Sequence, residues 1–219
     1  MARRYVIRQD AAPVAPISGI DYRTALNEEQ YAAVSSEPGP ALVIAGAGSG
    51  KTRTLTYRVA WLLDHGTDPW NILLLTFTNK AAREMTERVR SLIPLDLSRL
   101  WSGTFHSIAN RILRQHAEYL GYTPAFTIMD SDDRKSMIKS VVKSLKLDEK
   151  STRFPKPEVL SSLFSLADNE GANIRETLEN AYPYLSNHLD AILEVHDQYV
   201  ARKQETNSMD FDDLLLNVV

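Results

Sequence analysis

No cysteine occurs in the 219 residues, which excludes disulfides and thiolate metal sites. No apolar run approaches the roughly 18 residues that a membrane-spanning helix needs. The amino terminus carries Arg3 and Arg4, but the stretch AAPVAPISGI that follows is broken by Pro13 and Pro16. It makes neither the apolar core of a signal peptide nor a twin-arginine export signal, and a cytoplasmic protein is the expectation. An excess of positive charge is missing too. With 25 Lys and Arg against 28 Asp and Glu the net charge is −3, which argues against a uniformly basic nucleic-acid coat. The five histidines (65, 106, 116, 188 and 196) include no i,i+4 pair of the zinc-binding kind, so no structural metal is expected. The sequence also shows no internal repeat.

What is present is ordinary for a globular chain of one to two domains, with 43% hydrophobic and 24% charged residues. The charge is unevenly spread. Lys80, Arg83, Arg88, Arg90, Arg99, Arg111 and Arg114 face only Glu84, Glu87 and Asp96 over the same stretch. From Pro183 onwards seven acidic residues stand against two basic ones. The asymmetry hints at phosphate binding in the middle of the chain, although most charge runs are simply solvated faces.

The chain is organised around ALVIAGAGSGKT, Ala41 to Thr52. The β-prone run Ala41, Leu42, Val43, Ile44 feeds a small-residue loop, Ala45, Gly46, Ala47, Gly48, Ser49, that ends in Gly50-Lys51-Thr52 at a helix start. That order of strand, loop and helix amino terminus is the P-loop. Loop and first-turn amides converge on one anion where the helix dipole also favours negative charge, and glycines let the backbone wrap a phosphate. Lys51 reaches the β- and γ-phosphates and the Thr52 hydroxyl holds Mg²⁺. The strict pattern begins with glycine; Ala45 stands there instead, with Gly46, Gly48 and Gly50 keeping the loop permissive. ATP and Mg²⁺ are the expected ligands.

Residues 1–20 read as an extended, proline-interrupted arm, disordered or loosely docked. In ALNEEQYAAV, Asn27 caps a helix with Glu28 and Glu29 in its first turn. Gln30 offers a donor and an acceptor side by side, matching an adenine edge. The P-loop helix runs from Lys51 to about Leu63, with Arg53 in its first turn able to stack on a purine. ILLLTF (Ile72–Phe77) reads as a strand buried on both faces of a parallel sheet. A helix over NKAAREMTERVRSLI ends at Pro94, RLWSGTF (Arg99–Phe105) is a third strand, and HSIANRILRQHAEYL is a helix closed by Gly121. The alternation implies right-handed βαβ crossovers. After the extended AFTIMD the chain reads as wholly helical, with a helix opened by Asp130, then about 157–169, 173–181 and 187–205. Asp130, Asp132 and Asp133, like Asp210, Asp212 and Asp213, are read as helix-start acids rather than metal ligands.

Three segments, VIAGAGSGKTRTLTYRVAWLL, ILLLTFTNKAAREMTERV and GTFHSIANRILR, together resemble the UvrD/PcrA/Rep family of superfamily 1 DNA helicases. LNEEQ resembles its Q motif, and MDFDDLLL the stretch leading towards its Asp-Glu motif. The resemblance runs from about residue 24 to 219. It implies an α/β fold: a RecA-like parallel sheet with helices on both faces (21–107), an inserted all-helical domain (108–205) and a return helix (206–219). By the same resemblance Gln30 and Arg53 contact adenine, Lys51 the phosphates and Thr52 the Mg²⁺. Phe77 and Asn79, with Thr104 and His106, line the path of single-stranded DNA. Base stacking on an aromatic tolerates any sequence, as a motor on arbitrary DNA requires. The implied activity is ATP-driven, 3′-to-5′ DNA unwinding at single-strand/duplex junctions, with repair among the family's roles.

The chain stops at Val219 before any strand ending in Asp-Glu. The expectation is therefore that 1–219 binds nucleotide, and single-stranded DNA weakly, without unwinding, and needs the remaining helicase domains as partners. Other readings are a P-loop enzyme such as a small-molecule kinase, a helicase–nuclease subunit, and a non-enzymatic module with a relict P-loop. A kinase gives no reason for TFTNKAA and GTFHS at successive strand ends.

Overall fold

Asp21 and Asn27 each supply the side-chain oxygen that starts a helix. Asp21 accepts the amides of Arg23 and Thr24 and opens α1 (Tyr22–Ala25). Asn27 opens α2 (Glu28–Ser35) in a capping box, taking the Gln30 amide while the Gln30 side chain takes the Asn27 amide. These elements belong to a computed structural model that describes residues 16–147 and 154–219. The chain divides into two units, Met1–Phe105 and His106–Val219.

In the first unit α3 (Lys51–Asp64) follows the glycine loop and buries Val59, Ala60 and Leu63. β1 (Leu73–Thr76) and β2 (Trp101–Thr104) pair in parallel, Leu73 opposite Trp101 and Thr76 opposite Thr104. The crossover between them is α4 (Asn79–Leu92), started by the Thr78 hydroxyl on the Ala81 amide and packed on α3 and both strands. Val34, Leu63, Leu74, Met85 and Val89 share the core.

Two expectations fail here. The Ile72–Phe77 run is not buried on both faces: Leu74 is buried and Leu73 half exposed, the period-two alternation of a strand covered on one side. Ala41–Ile44 forms no strand. It is irregular, with Leu42, Val43 and Ile44 exposed at 86%, 56% and 89%, and among the described residues it has no ladder partner.

In the second unit α5 (Phe105–His116) runs into a 3₁₀ turn, Ala117–Leu120, ended by Gly121 at φ 77°. After β3 (Thr127–Ile128), α6 (Ser131–Ser144) opens on Asp130, which accepts the Asp132 and Asp133 amides. α7 (Pro157–Glu170), α8 (Ile174–Ala181) and α9 (Leu189–Glu205) pack with α6 around Ile138, Leu160, Phe164, Leu178 and Ile192. The chain is not wholly helical beyond this point. β4 (Ser208–Met209) pairs in parallel with β3, and α10 (Phe211–Leu216) follows. Around this pair the Asn207 side chain accepts the Thr123 amide at 2.8 Å and donates to the Thr123 hydroxyl at 2.7 Å. The fold is thus a helix-rich mixture of helices and strands, with two small parallel sheets among the described residues.

Candidate nucleotide and nucleic-acid site

The glycine loop has the backbone its sequence demands. Gly48 and Gly50 adopt φ 77° and 86°, the left-handed region that a side chain resists. The Ser49 hydroxyl donates to the Gly46 carbonyl at 2.8 Å, and Lys51 Nζ donates to the carbonyls of Ala45 (3.1 Å) and Gly46 (2.7 Å). The ammonium therefore lies over the loop. Gly50 leaves α3 without a side-chain cap, so the first-turn amides face outward at the positive end of the helix dipole. Together these donors fit the β/γ end of a nucleoside triphosphate. Thr52 is exposed at the second helical position, where its hydroxyl fits a phosphate-bound Mg²⁺.

Gln30 closes one side. Its Nε2 donates to the Ser49 carbonyl at 3.0 Å while its Oε1 accepts the Asn27 amide at 3.3 Å, so a base edge would meet the second N–H and lone pair of the amide. A Cβ on Gly50 would fall 2.7 Å from Gln30 Nε2. A cleft of about 290 Å³ is bounded by Asn27, Gln30, Ala45, Ser49 and Lys51. Arg53 donates to the Ala25 carbonyl at 2.9 Å and lies 4.9 Å over the Tyr57 ring.

The level register of β1 and β2 brings Thr76 and Thr104 side by side at the carboxyl ends of their strands, where open parallel sheets bind ligands. The next residues, Phe77 and Phe105, are exposed aromatics with ring centroids 5.6 Å apart. Asn79 begins α4, exposed at the same end. Within the second unit His106 meets Phe211 edge-on at 5.5 Å, and Phe211 is half exposed. Phe105 and Phe211 were not singled out from the sequence. Phe105 follows directly from its place in GTFHS, whereas Phe211 is far from His106 along the chain and no local pattern joins them.

The acids of MDFDD do more than start a helix. Asp210 caps α10 and Asp213 completes its capping box. Asp210 also accepts from the Tyr199 hydroxyl at 2.6 Å, and Lys203 reaches Asp210 at 3.3 Å and Asp213 at 2.7 Å. Buried Arg134 from α6 binds Asp212, with Asp210 at 3.7 Å and Asp168 of α7 at 4.0 Å. Burial works against the Asp210 charge, but Lys203 and Arg134 outweigh it and hold that carboxyl below its usual range. Burial pushes Asp168 up to about 6. The cluster is an internal ionic network; carboxylates with ammonium and guanidinium partners are not poised as metal ligands.

A glycine loop, a lysine over it and an uncapped helix start form the phosphate-binding device of the P-loop proteins. The family model of the UvrD/REP helicase N-terminal domain matches residues 26–219, and the chain belongs to this family. Among curated proteins it is similar to the ATP-dependent DNA helicase PcrA of Staphylococcus aureus strain Mu50. The two are 40% identical over 195 residues, covering 89% of this chain and 26% of the relative. The protein of the same name from Staphylococcus epidermidis strain RP62A is 41% identical over the same coverage. The chain spans about a quarter of the length of these relatives.

Proposed function

We propose that this chain is the nucleotide-binding part of an ATP-dependent DNA helicase that moves 3′ to 5′ on single-stranded DNA. Its first unit belongs to a RecA-like domain with helices on both faces of a parallel sheet, and its helical unit is inserted in that domain. The observation that carries the reading is the combination, in the first unit, of the Lys51 loop with an exposed aromatic pair at the carboxyl ends of β1 and β2. A nucleotide-only enzyme has no use for two adjacent solvent-facing phenylalanines.

In this reading the amides from Gly46 to Lys51 and the Lys51 ammonium bind and orient the triphosphate. Thr52 holds Mg²⁺, which neutralises charge on the phosphates when bound. Gln30 and Arg53 hold the base. In the first unit Phe77 and Phe105 offer faces to DNA bases beside the polar Asn79 and Thr104, and in the second unit His106 also contacts DNA. Bases stacked on rings are gripped whatever their sequence, so ATP-driven steps can repeat along any strand. The complete protein is the motor; residues 1–219 alone bind nucleotide and single-stranded DNA without unwinding.

ATP hydrolysis with and without single-stranded DNA, on 1–219 and on the complete reading frame, tests this with Lys51→Ala controls. The expected result is Lys51-dependent, DNA-stimulated turnover in the complete protein only. Turnover indifferent to DNA would point to another P-loop enzyme, and none at all to a relict loop. Comparable turnover by 1–219 would contradict the division of labour proposed.

A further inference from the structure

Asp64 is the last residue of α3, buried at the helix end where the dipole disfavours an anion. Four donors hold it: the amides of Ile17 (3.0 Å) and Ser18 (2.8 Å), the Ser18 hydroxyl, and the Tyr22 hydroxyl at 2.6 Å. Burial pushes its carboxyl up, yet the bonds from Ser18, Tyr22 and Ile17 prevail and keep it ionised below the usual range. The Ser18 hydroxyl oxygen also accepts the Ile20 amide at 3.2 Å, which tightens the turn around the carboxylate. The Tyr22 ring packs edge-on to Tyr57 and Trp61, both on α3.

The same stretch of chain is fastened again at the other end of α3. There Arg53 donates to the Ala25 carbonyl, and Gln30 donates to Ser49 in the glycine loop. Residues 17–30 thus form a strap along a 14-residue helix of about 20 Å. Its far end is pinned by one buried carboxylate; its near end carries Gln30 and, through the Ala25 carbonyl, holds Arg53 of α3.

We propose that Asp64 is a positioning residue for base recognition: by pinning Ile17–Tyr22 it fixes where Ala25 and Gln30 stand, and through Ala25 the direction of Arg53. The inference rests on the nucleotide reading above. The phosphate loop keeps bonds of its own, from Lys51 and Ser49 to loop carbonyls, and among the described residues the strap bonds it only through Gln30 and Ser49. Loosening the pin therefore weakens the grip on the base and leaves the grip on phosphate intact.

The test is calorimetric binding of Mg²⁺-ATP and of inorganic tripolyphosphate to the 219-residue chain, for the parent, Asp64→Asn, Gln30→Ala, their combination, and Lys51→Ala. Asp64→Asn is expected to weaken ATP about tenfold and tripolyphosphate less than twofold, a loss near 1.4 kcal/mol confined to the base. Its combination with Gln30→Ala should lose less than the sum of the two. Equal loss for both ligands, unchanged ATP affinity, or full additivity overturns the proposal. Should Asp64→Asn fail to fold by circular dichroism, Ser18→Ala removes two of the bonds in the pin and must separate the two ligands in the same way. If the parent chain binds neither ligand, or Lys51→Ala binds as the parent does, the nucleotide reading itself fails.

Discussion

Gly50 answers to two demands at once, a left-handed backbone and the closeness of the Gln30 amide. Gly50→Ala meets about 1–2 kcal/mol of backbone strain, and its methyl must push Gln30 off Ser49. Nucleotide affinity is expected to fall more than tenfold, with a lowered melting temperature, by calorimetry and thermal unfolding. Phe77 is the opposite case. At 92% exposure its ring supports nothing inside the fold. Phe77→Ala should leave the melting temperature unchanged while single-stranded DNA affinity drops by about 1–3 kcal/mol, read by fluorescence anisotropy at fixed salt. Residues of the first kind are legible in sequence, since a glycine before Lys51-Thr52 carries its reason in its neighbours. Asp64, Arg134 and Phe211 were not, because their partners lie tens of positions away and only folding brings them together.

Helix starts were legible for the same local reason. Asn27, Asp130 and Asp210 each cap a helix with amides two or three residues on. Strands depend on a partner, and there the reading held only in part. β1 and β2 stand in ILLLTF and RLWSGTF and pair in parallel. Ala41–Ile44, however, has no ladder among the described residues, and the two-residue β4 lies within sequence read as helical. The ionic network joining α6, α7, α9 and α10 also escaped notice, as it needs residues from four elements. Its weakest member is Asp168. A folded-state pKa near 6, above the ordinary carboxyl value, means the folded protein binds that proton more tightly than the unfolded chain. Stability therefore declines as pH rises from about 4 to 6, and the ionised carboxylate is a net cost above that window. Asp168→Asn is expected to raise the melting temperature by about 2–4 °C at pH 7.5, with the gain shrinking towards pH 5. A gain that persists unchanged at pH 5 would assign the effect to packing instead.

For the whole molecule, the exposed run Leu42–Ile44 matters most. An exposed, β-prone apolar stretch with no ladder among the described residues can template pairing with another chain. Residues 1–219 should self-associate with rising concentration in sedimentation velocity, and Ile44→Lys should suppress this without changing the far-ultraviolet circular dichroism. Family and broad fold class came from motif order; the way the helical unit closes on itself did not. Thr123 and Asn207 lie 84 positions apart, yet they bond directly beside the parallel pair β3–β4. The described helices between them, α6 to α9, leave and return beside this doorway. Yet the segment is no detachable insert: it supplies the β3 partner of β4, and Arg134, Tyr199 and Lys203 hold the acids of α10. Cutting it out would strip the ladder and leave buried carboxylates without their cations. Closing the doorway also requires a long loop to come together first, so these bonds should be among the last to form when the protein folds.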